Sequence, residues 1–233
     1  MITAIIPARS GSKRLPDKNI KLLCDKPLIF HTIDSVLNHP EISSIIFTTD
    51  SREYINLVKA EYDDKLIYEY RPSEYATDHS KVYDELKRLI KKGLVDTQWY
   101  MLCLPTCPLR NHNIVRGLLD YWNVEKKPVF SVNEYDFPAQ FAFSIDNDNL
   151  NWIPIMDDSP MISGNTRSQD IQKSYRPNGA IYLQHADNID KKTLYIDASV
   201  YLMNSENSID IDTELDFVIC EHILSKKEKY NGR

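Results

Sequence analysis

Four cationic side chains, Arg9, Lys13, Arg14 and Lys18, fall within ten residues of one another in a chain whose net charge is −6. Between them lie the small residues Ser10, Gly11 and Ser12, which let backbone approach a ligand closely. Backbone N–H groups flanked by Arg and Lys form an anion nest suited to a triphosphate. The pattern is not a Walker loop, because GxxxxGK[ST] is absent. A run of charge serves equally well as a solvated surface loop, so this segment alone leaves both readings open.

The second feature is Ser208-Ile209-Asp210-Ile211-Asp212. In an extended segment, carboxylates at i and i+2 point to the same side. Two such charges repel unless a cation sits between them, and magnesium fits that role. An isolated DxD is also an ordinary strand end. The cationic loop strengthens the metal reading, because magnesium commonly bridges protein carboxylates to phosphates.

Three further loops carry candidate groups. Arg71 opens Arg71-Pro72-Ser73-Glu74-Tyr75-Ala76-Thr77-Asp78 and suits a base or a phosphate. Leu104-Pro105-Thr106-Cys107-Pro108-Leu109-Arg110 is stiffened by two prolines and suits a pocket wall. In Tyr175-Arg176-Pro177-Asn178-Gly179-Ala180-Ile181-Tyr182, Arg176, or the nearby Arg167, suits a substrate carboxylate. The bland alternatives are turns, surface charges and, for Tyr182, core packing. The six histidines are scattered, and no GxSxG or cysteine–histidine nucleophile pattern occurs. Direct transfer without a covalent enzyme intermediate fits that absence.

Each of these loops needs an element to position it. Ile2 to Ala8, Ile45 to Thr49, Leu66 to Tyr70 and Tyr100 to Leu104 read as strands. Lys26 to Leu37, Ser80 to Lys92 and Asn111 to Trp122 read as helices, with a further helix after Asp50 or Ser51 as its cap. This alternation predicts an α/β fold with a mostly parallel sheet flanked by helices. Ligands in such folds sit beyond the carboxyl ends of the strands, where the loops above begin. Phe141 to Ile145 and Leu150 to Ile155 predict a hairpin, and 156 to 175 a mobile loop. Gly179 to Leu183 and Ser199 to Met203 predict strands, and Thr213 to Leu224 a closing helix followed by a frayed tail from Ser225 to Arg233.

At 233 residues the chain suits one domain without disulfide or metal staples. Its acidity argues against a nucleic-acid or membrane-surface binder. Cys24, Cys103, Cys107 and Cys220 match no zinc or redox spacing and are expected to be reduced and mostly packed. No secretory signal or membrane span is visible, so the cytoplasm is the expected compartment.

Taken together, the ordered segments IIPARSGSKRLPDKN, FTTDS, RPSEYATD, LPTCPLR, YRPNGAIYL and SIDIDTELDF resemble the acylneuraminate (CMP-sialic acid) cytidylyltransferase family over nearly the whole chain. The resemblance implies a Rossmann-like fold of the nucleotide-diphospho-sugar transferase type. It implies one domain over 1–233, with a small dimerisation and sugar-pocket extension at about 138–200. It also implies CTP as donor, a nonulosonic acid as acceptor, magnesium as cofactor and a homodimer. Position by position, Arg9, Lys13, Lys18 and Asn19 would hold the CTP phosphates and base, with Ser10 and Gly11 beside them. Arg71 would bind the cytidine part, and Asp210 and Asp212 the metal. Leu104, Arg167, Gln169 and Tyr182 would lie toward the sugar acid, and Tyr195 is the weak counterpart of a group reaching into the neighbouring subunit's pocket.

Three departures bear on the sugar. Leu104 stands where the family commonly has glutamine, His79-Ser80-Lys81-Val82 where it has small hydroxyl residues, and Ser168 where it has a second arginine. They point to a legionaminic-, pseudaminic- or otherwise modified nonulosonic acid. The rival expectations are a cytidylyltransferase for an eight-carbon acid such as Kdo, a DxD glycosyltransferase and a non-catalytic nucleotide-binding protein.

Overall fold

The computed structural model describes residues 1–77, 79–165, 167–191 and 193–231, with side chains through 227. Asp78, the last residue of the third loop motif, and Gly232 and Arg233 of the tail lie outside the described residues. The elements run β1 (Ile2–Pro7), β2 (Leu22–Leu23), β3 (Lys26–Pro27), α1 (Leu28–Val36), β4 (Ile42–Thr49), α2 (Arg52–Tyr62), β5 (Ile67–Tyr70), α3 (Val82–Lys91) and β6 (Trp99–Cys103). They continue with α4 (His112–Glu125), β7 (Val129–Glu134), β8 (Phe143–Ile145), β9 (Trp152–Pro154), α5 (Pro160–Ser163), β10 (Tyr175–His185), β11 (Ser199–Leu202) and α6 (Glu214–Asn231).

One seven-stranded sheet carries the molecule, in the order β11-β7-β10-β6-β1-β4-β5. Every pairing is parallel except those of β10, which runs antiparallel between β6 and β7. Strand β1 is buried throughout, as a central parallel strand must be. From β1 the chain moves to one side for β4 and β5 and to the other for β6. The carboxyl ends of β1 and β6 therefore flank the crevice where ligands bind in open α/β sheets.

The predicted strands and helices occur with shifted ends, and two predictions need correction. The tail expected to fray from Ser225 is helical, with α6 continuing to Asn231. The twin-aspartate segment is not a sheet strand but irregular extended chain after β11. Strand β7 was missed. The 156 to 175 stretch contains α5 and a 3₁₀ turn at Ser168–Asp170. The β8–β9 hairpin forms as expected, in its own two-stranded sheet.

Two local features give stability predictions. The two-residue turn between β2 and β3 puts Cys24 at φ 49° and Asp25 at φ 60°. Such turns favour glycine, because a Cβ is strained at positive φ. Asp25→Gly is expected to raise the melting temperature by about 2 °C; an unchanged or lower value would show the turn is unstrained.

Across the other end, the Arg116 guanidinium grips Glu41 with a fork of 2.7 and 2.9 Å, and Asn123 adds a bond of 2.8 Å. The Arg116 bonds hold the Glu41 carboxyl down to about 2, against burial, which pushes it up. A depressed carboxylate contributes stability above its unfolded value, near pH 4.5, and loses it as pH falls through the folded value. Glu41→Gln should therefore cost about 1–2 kcal/mol at pH 7. That difference should shrink steadily from pH 4.5 toward pH 2 in denaturant titrations, and a pH-independent difference would refute it.

Candidate active site

The loop after β1 is fastened before any ligand arrives. Asp50, at the end of β4, accepts the Ser10 N–H at 2.8 Å and the Ser10 hydroxyl at 3.0 Å. Ser51, not Asp50, caps α2 by accepting the Tyr54 N–H at 3.2 Å. Tyr54, itself buried, donates to Asp17 Oδ1 at 3.1 Å. Asn19, 4% exposed, donates to the Arg9 carbonyl at 2.8 Å and closes the loop on itself. The first turn of α2 and the side chain of Asn19 thus set the loop's shape.

That clamp changes the role of one predicted residue. Ser10 spends both of its donors on Asp50, so neither serves a ligand while the clamp holds. Asp50→Ala removes a negative charge beside several cations, which by charge alone would favour anions. Because the clamp preorganises the loop, the variant is instead expected to bind inorganic tripolyphosphate about tenfold more weakly. Tighter binding would show that charge outweighs preorganisation.

The twin aspartates are oriented by the residue between them. Ile211 is fully buried, packed with Leu15, Leu23, Leu28 and Phe217, and its N–H donates to the Thr106 carbonyl at 2.7 Å. Asp210 and Asp212 on either side therefore point the opposite way. Behind them Thr213 and Asp216 form a reciprocal helix cap, with bonds of 2.7 Å to the carboxylate and 3.3 Å back to the Thr213 hydroxyl. Burial opposes ionisation of Asp216, but the Thr213 bonds hold its carboxyl below the usual range.

The two ends of the chain meet here. The Lys18 ammonium, 12% exposed, donates to the Ile211 carbonyl at 2.6 Å and lies 3.3 Å from Asp212 Oδ1. Arg14 reaches Asp212 Oδ2 at 2.9 Å. A cleft of about 200 Å³ opens between them, its basic wall formed by Arg9, Lys13, Arg14 and Lys18 with Ser12 and Asn19. Leu104, Pro105 and Thr106 make the facing wall, and Asp212 stands at the edge.

Asp210 keeps solvent contact but sits low among protein atoms. Partial desolvation raises its carboxyl above the usual range, and repulsion from Asp212 adds to this, while a Thr106 hydrogen bond and the charges of Lys18 and Arg14 oppose it. One Asp210 oxygen lies 3.9 Å from where a Cβ on Gly179 would stand, beside Leu104 and Cys107. Gly179 has φ +77°, so a side chain there would be strained and would crowd this corner.

No group of three His, Cys, Asp or Glu side chains among the described residues gathers as a metal site. Two carboxylates nonetheless fit a hard cation that draws its remaining ligands from phosphate and water. The donors are oxygens, as magnesium requires, and the neighbouring cations can turn to phosphate when Asp212 is engaged.

Other predicted residues lie elsewhere. Gly11 is exposed, and Arg71 is buried and not among the residues that line the cleft. Tyr182 packs in an aromatic trio, stacked on Phe130 at 6.5 Å and edge-on to Tyr195 at 6.0 Å. Burial, with Tyr195 adding, pushes the Tyr182 phenol up. Tyr195 thus packs against its own chain. Arg167 pairs with Asp170 at 3.4 Å, and Gln169 lines a separate cavity with Tyr135, Phe137 and Lys173 on the extension. Arg176 lies over the Tyr135 ring at 5.9 Å. Sequence reasoning missed Asp50 as a site residue, whereas Arg14 and Ser12, which line the cleft, already stood in the basic loop. Asp50 stood in the FTTDS segment and was weighed only as a helix cap.

A family model described as cytidylyltransferase matches residues 3–231. The chain is 33% identical over 232 residues to the N-acylneuraminate cytidylyltransferase of Escherichia coli O18:K1:H7, covering 98% of this chain and 53% of that one. It is 32% identical over 235 residues to the CMP-N,N'-diacetyllegionaminic acid synthase of Legionella pneumophila, covering 98% of both chains. The chain therefore spans about half the length of the first relative and nearly all of the second. The solved structure of CMP:2-keto-3-deoxy-manno-octonic acid synthetase complexed with CTP shares the fold, with a TM-score of 0.69 at 15% identity over 97% of this chain and 99% of that one.

Proposed function

The chain belongs to the cytidylyltransferase family, and on that premise we propose that it transfers CMP from CTP to the anomeric hydroxyl of a sialic-acid-like nonulosonic acid, releasing pyrophosphate. The observation that carries this reading is the meeting of Lys18 and Arg14 with Asp212 at one cleft. A triphosphate needs the first two, and its metal needs the third.

In the proposed reaction Arg9, Lys13 and Lys18 bind the phosphates, while Asn19 keeps the Arg9 backbone in place. The sugar hydroxyl gives its proton to water or a cleft carboxylate as its oxygen attacks the α-phosphorus in line, the α–β bridge bond breaks, and pyrophosphate departs toward the basic wall. Asp210 and Asp212 would hold magnesium, which when bound neutralises charge on the phosphates and on the departing pyrophosphate. Lys18, held by the Ile211 carbonyl, is preorganised to stabilise developing charge. Leu104 gives the acceptor side of the wall an apolar surface. That favours a modified nonulosonic acid of the legionaminic or pseudaminic kind.

A homodimer belongs to the same proposal. One face of the β8–β9 hairpin exposes Phe143, Ile145 and Trp152 by 46–56%. So much contiguous apolar surface favours a protein partner over water. Arg167 and Gln169 sit on this extension, from which a second copy would bring them to its neighbour's acceptor site. No helix among the described residues is long and apolar enough to cross a membrane. We place the reaction in the cytoplasm, where unpaired cysteines such as these four persist.

The test is pyrophosphate release on adding CTP and magnesium to a panel of nonulosonic acids, with Kdo as the rival acceptor. Turnover with Kdo alone would replace this reading by the eight-carbon one. Hydrolysis of ready-made CMP-sugar with no use of CTP would favour a glycosyltransferase.

A further inference from the structure

Glu85 on α3 is a fully buried carboxylate that takes no part in the reaction described above. It accepts the Thr48 hydroxyl at 2.5 Å, and Arg88 Nε and Nη2 at 2.8 Å each. Arg88 is held in turn by Glu69 at 2.7 Å, and Glu69 by Lys92 at 2.8 Å. The Arg88 fork satisfies one charge of this network. A second arginine, Arg71, nevertheless lies 3.7 Å from Glu85 Oε2, with both side chains almost sealed from solvent.

Among the described residues, no other carboxylate forms an ion pair with the Arg71 guanidinium. Its backbone N–H donates to the Thr49 carbonyl at 2.8 Å, which fixes its Cα at the ligand edge of the sheet. Its Nε, however, has no hydrogen-bond partner among the described residues. Burial lowers the proton affinity of the guanidinium; the charges of Glu85 and Asp50 raise it, and those of Arg88 and Arg9 lower it. A buried arginine with an unpaired donor beside a carboxylate is held by charge.

We propose that Glu85 is the positioning residue for Arg71, holding its guanidinium where it can meet the cytidine part of the nucleotide. The proposal rests on the reading of Arg71 as a cytidine-binding group. It divides the support of the site between two carboxylates: Asp50 shapes the phosphate loop, and Glu85 shapes base recognition.

The division gives a test that a merely structural role would not pass. Glu85→Gln keeps the side-chain shape and the Thr48 bond but removes the charge. Affinity for CTP, measured by calorimetry, should fall about tenfold, because small misplacements of a binding group are costly. Affinity for inorganic tripolyphosphate should stay within about twofold. In an Arg71→Ala background the same change should have little further effect on CTP.

Equal losses for CTP and tripolyphosphate, or full additivity with Arg71→Ala, would overturn the proposal. Should Glu85→Gln fail to fold, Glu85→Asp, which retracts the charge, is read in the same way. If Arg71→Ala alone leaves CTP affinity unchanged, the cytidine reading of Arg71 falls and this proposal with it. Pyrophosphate release in that variant shows whether the overall activity still stands.

Discussion

Asp212→Asn lowers turnover about a thousandfold and leaves CTP bound at least as tightly as before. The two effects have opposite signs because Asp212 has two kinds of neighbour. Its oxygens lie 3.3 Å from Lys18 and 2.9 Å from Arg14, so it neutralises cations a triphosphate would use. Removing its charge frees them, and metal-free CTP should bind as well or better. The proposed metal, by contrast, loses one of two protein carboxylates. Folding should survive, because Ile211 and the Thr213–Asp216 cap hold the segment without the Asp212 carboxylate. Calorimetry with CTP, a steady-state assay and a melting curve give the three readouts. Undiminished turnover, or weaker CTP binding at an unchanged rate, would remove Asp212 from the metal site.

Lys18→Met should damage binding and rate together: CTP affinity about tenfold weaker and turnover about a hundredfold lower. Lys18 joins the two halves of the cleft, through the Ile211 carbonyl and the Asp212 carboxylate, and it is nearly buried. Methionine fills much of the same volume but leaves the Ile211 carbonyl without its donor and Asp212 with Arg14 alone. The sign on CTP affinity is therefore opposite to that of Asp212→Asn, although the residues touch. Groups acting through one contact are not additive, so the double variant should lose less than the sum of the two in free energy. A Lys18→Met enzyme with normal CTP affinity would show that this ammonium serves the fold rather than the phosphates.

Much of this site could be read from the sequence, for physical reasons. The basic loop and the twin aspartates are local patterns, and the alternation Asp-Ile-Asp carried its own orientation, since a buried isoleucine forces its neighbours outward. The segment itself is not in the sheet. What escaped depends on partners far apart in the chain. Nothing near Ser10 shows that its N–H belongs to Asp50, 40 residues on. The burial of Arg71 follows from Glu85, which looks like an ordinary helix charge in EL. Strand β7 (VFSVNE) is short and follows Lys126-Lys127-Pro128, so it reads as loop until β10 and β11 pair with it on both sides. Helix α6 outran its prediction because SKKEK, polar as it is, contains good helix formers.

The antiparallel strand β10 has one more implication. It pairs with β7 from the first residue, Tyr175 opposite Glu134. Everything between those two positions, the hairpin, α5 and the turn bearing Gln169, is thus an excursion that leaves and rejoins the sheet at one closed stem. Lengthening, shortening or rewriting this stretch changes no strand register. Such a lineage can therefore try new acceptors cheaply, while the nucleotide half of the molecule is inherited intact.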